Sequence, residues 1–163
     1  MVQQERMEVC RRALGQMMAL CSRREYAAGE LREKLQKKEL TVEEIAWILE
    51  QLQQEGFQDD LRYAVAFARD KSRLAGWGER KIAYALHQKG IASELIRQAW
   101  LEVDEREAWK KLVSLLSVKH RALLRQGREE RDIYQRLSAY AQQKGYAWEQ
   151  VQQYWKAFKR DNE

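Results

Sequence analysis

The sequence predicts an all-α protein: three tandem three-helix repeats forming an elongated, curved helical array. Three observations predict it. Proline is absent from the 163 residues and glycines number only eight, while Leu, Ala, Glu, Lys, Arg and Gln, all strong helix formers, dominate. An apolar quartet at i, i+3, i+4, i+7 occurs three times, as Ile45/Ile48/Leu49/Leu52, Ile96/Ala99/Trp100/Val103 and Val151/Tyr154/Trp155/Phe158, at offsets of 51 and 55. A lysine turn precedes each quartet (Lys38-Glu39-Leu40, Lys89-Gly90-Ile91, Lys144-Gly145-Tyr146), and Leu31/Leu35, Ile82/Leu86 and Leu137/Ala141 precede the turns at the same offsets. A unit of about 50 residues buries too little to stand comfortably alone, so neighbouring units should lean on each other, as arrays that bind long partners do.

The elements follow in order. A first helix covers about 6–21 and a second about 28–38. Thr41 through Glu44 form a capping box that starts the third, whose end before Gly56 is a glycine stop. Asp59 or Asp60 caps a fourth helix reaching about Leu74, because an acceptor and a negative charge both suit a helix start. Gly76-Trp77-Gly78 breaks the pattern; a fifth helix runs about 79–89, and Ser93 caps a sixth reaching Val103. Asp104 opens a seventh over about 105–118. The stretch 119–128 is basic and less periodic, and reads as a linker with at most a helical turn. An eighth helix ends near Lys144 and a ninth carries the last quartet. The repeats then fall at 1–58, 59–103 and 104–163, their first helices aligning least well.

Charge divides along the chain. Residues 1–60 hold 9 Lys/Arg against 12 Asp/Glu, 61–103 hold 8 against 4, and 104–163 hold 13 against 9, so net charges of −3, +4 and +4 make up the total of +5. An acidic front with a basic middle and rear fits either a polyanionic partner or a solvated mixed surface. No apolar run reaches the ~18 residues of a membrane span, and polar residues interrupt any signal core near the start. Cys10 and Cys21 are too few for a disulfide framework and read as reduced thiols of a cytoplasmic protein.

Catalysis finds little support. His87 follows the core position Leu86 with no ligand at zinc-like spacing, and no nucleophile motif occurs. Metal and cofactor sites are expected to be absent, and the protein to be non-enzymatic. Gly76-Trp77-Gly78 before Arg80 and Lys81 could offer amides to a phosphate, but the spacing of a phosphate-binding loop is missing. Arg69, Lys71 and Arg73 close one helix, Arg80 and Lys81 open the next, and Trp77 lies between. Cations around an aromatic suit single-stranded nucleic acid, since bases stack while cations follow phosphates. The same residues also fit a helix C-terminus that favours cations and a tryptophan that plugs a gap. Arg23-Arg24-Glu25-Tyr26 forms a second basic loop, read as salt-bridged. Trp47 lies off its stripe and should be partly exposed, and Trp148 is placed to act as a hydrophobic staple.

These residues resemble the RecX family. Arg24-Glu25-Tyr26 followed by Glu30-Leu31-Arg32-Glu33-Lys34-Leu35 is similar to its first-repeat signature. Gly56-Phe57-Gln58-Asp59-Asp60 with Tyr63 and Ala64 is similar to its next segment. Gly76-Trp77-Gly78, Arg80-Lys81-Ile82, Leu86 and Gln88-Lys89-Gly90-Ile91 match its most specific block; Leu137, Gly145-Tyr146, Val151 and Trp155 match its last repeat. Departures are Ala27 where a serine cap is common, Glu39 at a glycine-like position, and Ala141 where a larger aliphatic is usual. The resemblance implies a monomeric modulator of the RecA recombinase. It would bind the RecA–DNA filament and restrain filament extension, ATP hydrolysis, strand exchange and repressor cleavage in recombination and the SOS response. The other open reading is a general DNA-binding module acting indirectly on repair. Candidate partner- or DNA-binding residues are Arg69, Lys71, Arg73, Trp77, Arg80, Lys81, Lys89 and Arg24, with single-stranded DNA as a further candidate partner.

Overall fold

A computed structural model describes residues 2–162. Among them lie nine helices and no strand: α1 (Val2–Cys21), α2 (Ala28–Gln36), α3 (Val42–Gln54), α4 (Asp60–Leu74), α5 (Glu79–Gln88), α6 (Ser93–Leu101), α7 (Glu105–Arg125), α8 (Glu130–Gln143) and α9 (Trp148–Asn162). The protein is an all-α helical repeat array. Its contacts gather into two compact units, one of residues up to Ala66 with Leu86–Ala99, the other of Phe67–Ala85 with Trp100 onward. The middle three helices are thus shared out between the units.

In the first compact unit α1 packs on α3 and α2 on α3. Ala13 and Met17 meet Leu31, Leu35, Ile45, Ile48 and Leu52 in one core. In the second, α7 packs on α8 and α8 on α9, joining Leu112 and Leu116 to Ile133, Leu137, Ala141, Val151 and Tyr154. The quartets share most of one burial pattern: first and second positions are buried and the third (Leu49, Trp100, Trp155) half-buried in all three, while the fourth is buried in the first two and half-buried, as Phe158, in the last. The i+4 residue sits at the edge of the apolar stripe, where a groove can form beside it.

The capping box of α3 is formed: the Thr41 hydroxyl accepts from the Glu44 amide at 3.2 Å, and the Glu44 carboxylate accepts from the Thr41 amide at 2.8 Å. Arg6 of α1 pairs with the same carboxylate. At the next helix the choice between two aspartates resolves into two jobs. Asp59 caps α4, accepting from the Arg62 amide at 2.8 Å. Asp60 instead reaches back 32 residues and accepts the Ala28 amide of α2 at 2.9 Å, held there by the Gln58 amide at 2.7 Å. Ala27 has no side-chain acceptor and is fully buried, so the cap expected of a serine there comes from a distant carboxylate. Asp60→Ala should therefore lower stability by about 1–2 kcal/mol, the cost of losing a cap, while Asp60→Asn, which keeps an acceptor oxygen, should cost less; urea unfolding of the two variants checks the order.

Several sequence expectations need correction. Residues 119–125 are not a linker: α7 continues to Arg125. His120 is only 2% exposed and stands in register with buried Leu112, Leu116 and Leu123, so an imidazole occupies an apolar position and hides the period. Ser93 is the first residue inside α6 rather than its cap, and α6 stops at Leu101, short of Val103. Trp148 opens α9 at 47% exposure, so it is not a buried staple. Trp47 is half-buried, as its place off the stripe predicts.

Candidate interaction surface

The turn between α4 and α5 is built by close backbone contact with the turn between α8 and α9. The Gly78 amide donates to the Lys144 carbonyl at 2.6 Å and the Arg80 amide to the Gly145 carbonyl at 3.2 Å, while the Trp77 amide donates to the Lys71 carbonyl at 3.0 Å. A Cβ on Gly78 would lie 2.6 Å from the Gly145 carbonyl oxygen. Three amides that a phosphate would need are therefore already engaged, and the two glycines flanking Trp77 serve helix docking. The first compact unit repeats the device: a Cβ on Gly29, in α2, would lie 2.9 Å from the Lys89 carbonyl oxygen.

The lysine side chains of the two docked turns behave differently. Lys89 Nζ lies 3.0 Å from Glu30, which Arg24 also approaches at 3.8 Å while its guanidinium covers the Tyr26 ring at 3.6 Å. The Glu30 hydrogen bond raises the pKa of Lys89 further above its ordinary value. In the repeat register Lys81 stands where Glu30 does, 51 residues on. Lys144 has no carboxylate to meet there and donates to the Ala75 carbonyl at 3.1 Å.

Lys81 is thereby left to another partner. Its Nζ lies 4.4 Å from the centre of the Trp77 ring, and Lys71 Nζ lies 4.9 Å from the same centre. Phe67 meets Trp77 edge-on at 6.1 Å. Neither lysine has a carboxylate within 4 Å among the described residues, and ring quadrupole attraction holds each ammonium without neutralising it. The flanking arginines differ: Arg69 pairs with Glu102 at 3.1 Å and Arg73 with Asp70 at 4.0 Å. Arg80 is exposed with no acidic partner among the described residues.

The candidates thus separate. Lys71, Trp77 and Lys81 form one cluster, Arg69 and Arg73 are ion-paired beside it, and Arg24 and Lys89 converge on Glu30 in the other compact unit. Sequence reasoning missed a second cluster, in which Lys119 and Lys144 lie 4.8 and 5.7 Å from the Tyr140 ring centre. Tyr140 on α8 and its C-cap residue Lys144 stand one helical turn apart, a readable spacing, but Lys119 comes from the stretch mistaken for a linker.

His120 shares this unit without joining the surface. Its Nδ1 is hydrogen-bonded to the Tyr154 hydroxyl at 3.2 Å, and its ring lies 3.9 Å from Phe158 and 5.4 Å from Trp155. Arg128, Glu130 and Lys159 line the cavity beside it. Burial lowers its pKa below the ordinary value. The unfolded chain then binds the proton more readily, so stability is full above about pH 6.5 and falls as pH drops from there through the lower folded value, by at most about 1.4 kcal/mol per pH unit. Urea midpoints between pH 7.5 and 5 should show this slope, and His120→Leu should flatten it.

Among the described residues no group of three His, Cys, Asp or Glu side chains converges to hold a metal, and no helix is long and apolar enough to cross a membrane. Cys10 and Cys21 are free thiols.

Two family models match the chain: RecX, first three-helix domain, over 13–52, and RecX, second three-helix domain, over 59–99. The chain is 29% identical over 140 residues to the regulatory protein RecX of Pelodictyon phaeoclathratiforme, covering 83% of this chain and 81% of that one. It is 34% identical over 113 residues to the regulatory protein RecX of Haemophilus ducreyi, covering 68% and 72%. The crystal structure of RecX from Lactobacillus salivarius superposes with a TM-score of 0.82 at 16% identity, over 93% of this chain and 97% of that one, and so shares its fold. With sequence signatures, family models and a relative matched over most of its length in agreement, the chain belongs to the RecX family of regulatory proteins.

Proposed function

We propose that this protein binds the RecA–DNA filament and restrains RecA: filament extension, ATP hydrolysis, strand exchange and coprotease activity. It acts in the cytoplasm as a monomer, with the three repeats 1–58, 59–103 and 104–163 as scaffold. One observation supports this working surface: Lys71 and Lys81 bracket Trp77 with no carboxylate within 4 Å of either among the described residues. Unneutralised cations beside an aromatic face suit the DNA-bearing groove of a nucleoprotein filament. The basic surface would compete there with contacts RecA makes to a second strand or to its next subunit. No bond is made or broken in such a role, which needs placement and charge only.

The test is RecA-dependent ATP hydrolysis on single-stranded DNA with increasing amounts of this protein. Inhibition that persists at salt abolishing its binding to bare DNA supports the filament reading. Inhibition that vanishes in step with bare-DNA binding overturns it in favour of a general DNA-binding module.

A further inference from the structure

A groove occurs twice at repeat-equivalent places, and its chemistry changes between them. In the first compact unit, Ala28, Leu49 and Leu95 line it with Asp59 and Asp60. In the second, the equivalents of those first three are Glu79, Trp100 and Gln150, joined by Glu105, Trp109 and Tyr146 around a cavity of about 260 Å³. An apolar alanine and two leucines have become a carboxylate, an indole and an amide at fixed offsets. Packing alone does not call for that set of replacements.

Unpaired charge marks the rim of the cavity. Tyr146, only 4% exposed, lines the cavity, while its hydroxyl is sealed from water. Glu79 and Glu105 at the rim have no cation within 4 Å among the described residues. Both stand in first turns, of α5 and α7, and make the rim acidic. Arg80 shares the rim without pairing with either, so the balance stays negative.

We propose that this cavity receives an arginine side chain presented by a protein partner. A guanidinium is planar and weakly hydrated; it can stack on indole faces and donate in several directions at once. Trp100 and Trp109 supply the faces, and Glu79 and Glu105 the counter-charge and the hydrogen-bond acceptors. The cavity lies below the ~300 Å³ where drug-sized pockets begin, as suits a single side chain. A nucleobase would find the same rings, but its phosphates would meet two carboxylates at the entrance. The site adjoins the Lys71–Trp77–Lys81 cluster, sharing the first turn of α5 through Glu79 and Arg80, but includes none of those three residues and does not depend on the filament reading.

The probe is a blocked Gly-Arg-Gly peptide titrated into the full chain, with the indole N–H signals of the six tryptophans followed by two-dimensional NMR. Citrulline in place of arginine and a short oligothymidylate are the comparisons. The arginine peptide should shift the Trp100 and Trp109 signals saturably, with the citrulline peptide at least ~10-fold weaker, because it loses the charge. Glu79→Gln/Glu105→Gln, both at exposed positions, should weaken binding of the arginine peptide without unfolding the chain. Shifts from oligothymidylate alone, equal shifts from arginine and citrulline, or none from either peptide would overturn the proposal.

Discussion

Gly145→Ala should cost about 3–5 kcal/mol and leave the second compact unit largely unfolded at modest urea. Gly145 has a φ of +91°, where an L side chain is strained by about 1–2 kcal/mol. Its added Cβ would also lie 2.5 Å from both the Lys81 nitrogen and the Lys81 Cβ. Those atoms belong to the first turn of α5, which cannot retreat without breaking the hydrogen bonds that the Gly78 and Arg80 amides donate to the Lys144 and Gly145 carbonyls. Overpacking against a rigid neighbour adds about 1–3 kcal/mol, and a whole domain holds only about 5–15. Gly127→Ala is the internal control. Its φ is +70° but no atom lies within 4 Å of the added Cβ, so it carries the strain without the clash and should cost about 1 kcal/mol. Equal costs for the two would show that the α8–α9 turn does not brace α5.

Reversing Lys71 and Lys81 together to glutamate should weaken inhibition of RecA-dependent ATP hydrolysis more than tenfold while the helical content stays unchanged. Like Arg80, both lysines meet no carboxylate among the described residues, so their charge is available to a partner. Reversing Arg69 and Arg73 should do less, because Glu102 and Asp70 already offset them and the change exchanges an ion pair for a repulsion at an exposed site worth about 1 kcal/mol or less. Reversing Lys37 and Lys38, exposed in the acidic first repeat, should do least. If each lysine meets a single-strand phosphate, the log–log salt slope of binding should also fall by about 0.7 per lysine. An effect of Lys37→Glu/Lys38→Glu as large as that of Lys71→Glu/Lys81→Glu would remove the working surface from the Trp77 turn.

Much of the candidate surface was visible as composition and little of it as geometry. Arg69, Lys71, Arg73, Trp77, Arg80 and Lys81 were readable as cations around an aromatic. Which of them are spent on carboxylates was not, because Glu102 lies 33 residues from Arg69 in the chain. Lys119 escaped because His120 scores as polar while packing as apolar against Tyr154, Trp155 and Phe158. The pairing of Asp60 with α2 escaped for a related reason: a cap is normally sought within a few residues of the helix it serves, and this one arrives from the following repeat.

The sequence by itself determined most of the helices, the repeat period and most of the buried apolar positions, the second half of α7 with buried His120 being the exception. Those depend on local propensity and on 3.6-residue periodicity, which a single chain displays directly. Leu31/Leu35, Ile82/Leu86 and Leu137/Ala141 are buried in the structure as their spacing requires. Only the tertiary structure decided what the repeat does at its joints. Lys38, Lys89 and Lys144 occupy one register, yet Lys89 meets Glu30 while Lys144 meets a carbonyl, because Lys81 has taken the glutamate's place. A charge is free or spent according to what lies within about 4 Å of it, and that distance is set by helices docking across long stretches of chain.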